Sequence, residues 1–68
     1  MNEFRISEND VEIIVRREEE YYFLILTDLS TDYIMETIRC KGDYIAHKMF
    51  IQLQLDYFNK IINSDFLV

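Results

Sequence analysis

Cys40 and His47 are the one thiol and the one imidazole in the chain, and they are where nucleophilic chemistry would have to start. An imidazole can take a thiol proton and so activate it. These two lie seven residues apart across an expected break in helical structure, and no glycine-rich oxyanion loop accompanies them. The geometric requirement for a nucleophile and its base is therefore not signalled. Cys40 reads as a small packed residue and His47 as the edge of an apolar helix stripe. A single Cys and a single His also make no structural zinc set, and one Cys makes no internal disulfide. Catalytic residues, metal ligands and cofactors are accordingly expected to be none, and the chain is read as a non-enzyme.

The carboxylates are numerous but unfocused. A hydrolase would hold two of them a set distance apart across a cleft; here they sit in turns and at element starts. Their distribution is nonetheless lopsided. Residues 1–36 carry ten acids against three arginines, a net −7, whereas residues 37–68 carry +1, for −6 overall. The front half repels phosphate, so direct nucleic-acid binding is not expected, and a protein partner with a basic surface would be attracted. Glu18, Glu19 and Glu20, with Glu8, Asp10 and Glu12 on neighbouring elements, could form an acidic partner-binding face that imitates nucleic-acid phosphates. The same residues could instead be a solvated hairpin tip that keeps a small apolar domain dissolved.

The elements that must position these groups divide the chain into strands and then helices. Phe4 and Ile6 alternate with polar residues, which predicts a short strand over 4–6. Ser7 to Asp10 has turn composition. Val11 to Arg16 is β-branched at four of six positions and predicts a second strand, 11–16. Residues 17–20 read as a four-residue hairpin loop, with no glycine to support a tighter one; this sets Val15 opposite Tyr22 and Ile13 opposite Leu24. A third strand, 21–27, is apolar on both faces and so must be covered twice or lie at an interface.

Helix signals begin at Leu29. Ser30 is a good N-cap, Leu29 and Ile34 stand where a hydrophobic staple would place them, and Arg39 and Lys41 suit a helix C-terminus. Gly42 either separates a helix over 30–41 from one over 43–63 or bends a single long helix; two helices are preferred, with Asp43 capping the second. Around that second helix one stripe (Ala46, Met49, Phe50, Leu53, Tyr57, Ile61) suits the core. The other (Tyr44, Ile51, Leu55, Phe58, Ile62) is surplus, with His47 and Gln54 between them. The end, 64–68, is apolar enough to dock.

The expected fold is thus one α+β domain spanning 1–68: a three-stranded antiparallel meander followed by two helices packed on one face. Its core would hold Phe4, Ile6, Val11, Ile13, Val15, Tyr22, Leu24 and Leu26 with Ile34, Ile38, Ala46, Phe50, Leu53, Tyr57 and Ile61. Tyr21, Phe23 and Ile25 then join the surplus helix stripe as apolar interface residues, and a homodimer is expected because chains this small so often need association. No apolar run is long enough to cross a bilayer and residues 1–5 lack a signal-peptide pattern, which predicts a cytoplasmic protein with no membrane contact.

In size, acidity and strand-then-helix order, with Glu18-Glu19-Glu20 ahead of the aromatic Tyr21-Tyr22-Phe23, the chain resembles small phage-encoded inhibitors such as anti-CRISPR proteins and uracil-DNA glycosylase inhibitors. The resemblance implies a non-catalytic binder that inhibits a host or defence protein handling nucleic acid, by steric or acidic-surface blockade. The alternative is an antitoxin-type or regulatory partner that neutralises a basic protein of its own genome.

Overall fold

A computed structural model describes residues 3–66. Four strands, β1 (Glu3–Glu8), β2 (Val11–Glu18), β3 (Tyr21–Asp28) and β4 (Tyr33–Lys41), precede one helix, α1 (Asp43–Phe58). The strands form an antiparallel sheet in the order β1-β2-β3-β4. This replaces the expected three strands and two helices. The spans 4–6, 11–16 and 21–27 lie inside longer strands, and the helix expected over 30–41 is a strand.

The physical reason is in the residues of β4. Tyr33, Ile34, Thr37 and Ile38 are aromatic or β-branched and favour a pleated surface. Pairing with β3 also covers the second edge of an apolar strand. The supposed cap is a loop device instead: Asp28 Oδ1 accepts from Ser30 N at 3.0 Å and from Ser30 Oγ at 2.7 Å, and Asp32 turns the chain at φ 57°. Gly42 does end an element, at φ 85°, a conformation that a side chain would resist. The element that it ends is a strand. It also occupies the N-cap position of α1, with no side-chain cap bond, so Asp43 is the first helical residue and not the cap.

The turns are tighter than expected. Glu18 pairs with Tyr21, which leaves only Glu19 and Glu20 in the connection, so Val15 faces Leu24 and Ile13 faces Leu26. Glu19 accepts φ 58° without being a glycine. The β1–β2 turn is Asn9-Asp10, both at positive φ as a type I′ hairpin requires. Backbone bonds from Leu29 N to Asp10 O (2.8 Å) and from Gly42 N to Glu20 O (3.0 Å) tie each sheet end together.

The register sorts every strand residue onto one of two faces. Towards α1 lie the rows Phe4–Val15–Leu24–Ile38 and Ile6–Ile13–Leu26–Glu36, with Tyr22 beside Cys40. Ala46, Phe50, Leu53 and Phe58 of α1 close over them. Phe58 belongs to the stripe expected to be surplus, yet it is 2% exposed. Tyr57, Ile61 and Ile34, expected in the core, are exposed.

The helix stops at Asn59, which adopts the left-handed conformation at φ 61°, well before the expected 63. From there the chain folds back along α1, and Gln54, wholly buried, bonds its backbone on both sides. This return seats Phe66 against Phe50, Tyr22 and His47, at centroid distances of 5.0, 5.4 and 4.2 Å. The expected docking of the chain end therefore holds at Phe66, while Leu67 and Val68, like Met1 and Asn2, fall outside the described residues.

Candidate protein-binding face

The face of the sheet away from α1 carries the rows Glu3–Arg16–Phe23–Arg39 and Arg5–Ile14–Ile25–Thr37, with Glu18–Tyr21–Lys41 at one end. No helix covers it. Ile14 is buried, and Tyr21, Phe23 and Ile25 are half-buried, in rows that also carry the long side chains of Arg5, Arg16 and Arg39. Arg39 sits over the Tyr21 ring at 4.9 Å. Arg16 donates to Glu3 Oε2 at 2.9 and 3.1 Å, and Arg5 reaches Glu3 and Glu12 at 3.2 and 3.4 Å. The hydrogen bonds from Arg16, opposed by desolvation and aided to a lesser degree by the charge and hydrogen bond of Arg5, hold the Glu3 carboxyl below its ordinary value. The result is an apolar centre bordered by mutually paired ions.

Of the expected interface residues, Tyr21, Phe23 and Ile25 share this face. Tyr44 (70% exposed), Leu55 and Ile62 are exposed on the opposite side of the molecule, Ile51 is half-buried there and Phe58 is buried. One flat partner surface cannot engage both groups. Tyr44, His47, Lys48 and Ile51 border a shallow groove of about 330 Å³ on the outer face of α1.

The acidic residues separate as well. Glu18, Glu19 and Glu20 stand at one end of β2, and Glu8 and Asp10 at the other, roughly 24 Å away for a strand of this length. Glu12 lies on the open face, tied to Arg5. Lys60 neutralises Glu8 at 2.8 Å and Lys41 neutralises Glu20 at 3.3 Å. No single phosphate-like array results.

Cys40 points into the core, where burial pushes its thiol up and away from the reactive thiolate. His47 donates from Nδ1 to the Asp43 carbonyl at 3.0 Å and lies flat on Phe66, a packing role. Among the described residues no group of three or more His, Cys, Asp or Glu could hold a metal ion, and no helix is long and apolar enough to cross a membrane.

Two features escaped the sequence reading: the exposed edge of β4, hidden by its assignment to a helix, and the Gln54 clamp. A lone Gln between two apolar stripes was the available signal for the clamp. No protein-family model, no curated protein and no solved structure matches the chain.

Proposed function

We propose that the protein is a non-catalytic binding module that inhibits a protein partner by occupying its surface, through the open sheet face around Phe23 and Ile25. The observation that carries this reading is the apolar cluster Ile14, Phe23 and Ile25, drawn from two adjacent rows, uncovered by any element among the described residues and bordered by Arg–Glu pairs. Interfaces have this arrangement: an apolar, aromatic centre and a polar rim that excludes water. A domain this small acts on a partner mainly by masking what the partner needs. The net charge of −6 would steer it towards a basic, nucleic-acid-handling protein, while contact itself is apolar. The acidic blockade reading is weaker, because the acids lie at opposite ends and three of the six are locally paired.

The test is capture from a lysate of the source cell at low salt, followed by assay of the captured protein's activity. Phe23→Glu should abolish capture and inhibition while leaving the circular dichroism spectrum unchanged. Capture that survives Phe23→Glu but fails when Glu18, Glu19 and Glu20 are changed to Lys would instead favour the acidic tip. Capture without inhibition would refute the inhibitor reading and leave a neutral binding module.

A further inference from the structure

β4 is an edge strand of nine residues, paired on one side with β3, and among the described residues no other strand pairs with its outer backbone groups. Such a row of amides and carbonyls is a template for another strand. The usual protections are incomplete here. A bulge falls between the Leu26 and Thr27 pairings and charges stand at Glu36, Arg39 and Lys41, but Tyr33, Ile34 and Met35 are 66%, 57% and 36% exposed in succession. The other edge, β1, is shorter and carries Glu3, Arg5 and Glu8 along its length.

We infer that β4 is a self-association edge, and that a second copy of this chain pairs with it antiparallel about a two-fold axis, forming one continuous sheet through both molecules. The composition of β4 is what selects a second copy. Its first third is apolar and aromatic, while its last third carries Arg39 and Lys41, whose long stems can lie on apolar surface with the charge still in water. Antiparallel self-pairing sets each basic end over the other copy's apolar end; parallel pairing would set like charges abreast. β4 is also the one element with a net positive charge, +1, in a chain of −6, so two acidic molecules repel least along it.

A register follows from the faces already described. With Ile38 opposite its own copy, Thr37 faces Arg39 and Glu36 faces Cys40. Beyond the bulge, Lys41 faces Ile34, both on the open side of the sheet, and Tyr33 comes beside Gly42, whose missing side chain leaves open space. No like charges stand directly opposite each other. Two such junctions close the pair, and the two open faces then lie side by side, presenting the proposed binding surface twice. The pairing itself does not depend on that binding surface.

The experiment measures mass in solution by sedimentation across a concentration series. The wild-type chain should be a dimer that dissociates on dilution. Ile34→Lys places a like charge against Lys41 at both junctions and should raise the dissociation constant by about tenfold per junction, about a hundredfold in all, with the monomer fold intact. Lys41→Glu alone should also weaken the pair. An equimolar mixture of Ile34→Lys and Lys41→Glu chains should form a heterodimer, because one junction becomes Lys against Glu and the other remains native. Phe23→Glu, on the open face, should leave the mass unchanged, which separates this inference from the binding function. A monomeric wild type at its solubility limit, a dimer indifferent to Ile34→Lys, or a mixture that fails to pair would each overturn it.

Discussion

Gln54 and Asn63 are joined through both ends of the Gln54 amide: Nε2 donates to the Asn63 carbonyl at 2.7 Å, and Oε1 accepts from Asn63 N at 3.0 Å. The same Oε1 takes Ile62 N at 2.8 Å, and Nε2 reaches Phe50 O at 3.3 Å. One side chain thus does for the returning chain what a neighbouring strand would do. Gln54→Leu keeps the volume but strands three backbone groups in a part-buried site. Each costs about 1 kcal/mol or more when left unsatisfied, so the loss should be about 3 kcal/mol. In a domain of this size that lowers Tm by more than about 10 °C. Gln54→Glu adds a signed control. Its carboxylate would face the Asn63 and Phe50 carbonyls, so its pKa should rise above the ordinary range, and the variant should regain stability as pH falls and a donor proton returns. Thermal melts at pH 7 and pH 5 read both effects.

Phe66 is the far end of that return. It packs edge-on against Phe50 and Tyr22 and stacks on His47, and it is almost fully buried. Phe66→Ala should cost about 3 kcal/mol, from lost burial and an unfilled site between sheet and helix. Chemical denaturation should show that loss, and amide exchange at residues 59–66 should rise beyond the global change. Leu at this position should recover most of the stability and none of the ring stacking.

The first hairpin was legible because alternation and turn composition agree there; of the second, the strands were legible but not the turn length or the register, since no glycine marks Glu19. Phe4 and Ile6, then Val11, Ile13 and Val15, are period-two patterns that no helix reproduces. What misled at 30–41 was a set of local signals that served other ends. Ser30 satisfies Asp28 in a loop, and Gly42 closes a strand. The β-branched content of Ile34, Thr37 and Ile38 pointed the right way, but a strand needs a partner, and its partner is β3, fixed by tertiary pairing. The helix end was written at Asn59, a residue tolerant of the left-handed conformation, but Ile61 and Ile62 continued the angular pattern past it. For the site, Tyr21, Phe23 and Ile25 could be assigned to one face by alternation alone. That the acids part to opposite ends follows from β2 running between the two turns, whatever the length of either turn.

Glu3 links the charges of two strands on the open face, bonded to Arg16 across the β1–β2 pair and to Arg5 on its own strand. Its folded pKa is lowered from 4.5, mainly by the Arg16 hydrogen bonds. The sign follows: a carboxyl depressed in the folded state adds stability above its unfolded value, and that contribution is lost as pH falls through the folded value. Carbon-detected titration should place Glu3 below 4.5, and Arg16→Gln should move it upward. The pair is exposed, so Arg16→Gln should change stability at pH 7 only slightly. Asp28 should behave alike on Ser30→Ala, since the Ser30 hydroxyl and amide hold its pKa below 3.8.

Glu19 offers the sharpest test of the tight β2–β3 turn. It holds φ 58° in a two-residue connection where glycine would be at ease. A side chain in that region costs about 1–2 kcal/mol, and glycine gives back about 0.4–1 kcal/mol through the greater freedom of the unfolded chain. Glu19→Gly should therefore stabilise by about 0.5–1 kcal/mol, a rise in Tm of roughly 4 °C. Glu19→Gln removes the same charge without relieving the backbone and should leave Tm nearly unchanged, so the pair of variants separates geometry from electrostatics. Had residues 17–20 formed a wider loop with ordinary dihedrals, glycine would loosen the unfolded chain alone and lower Tm. The direction of the Glu19→Gly shift thus reports the register that puts Val15 opposite Leu24 and Ile13 opposite Leu26.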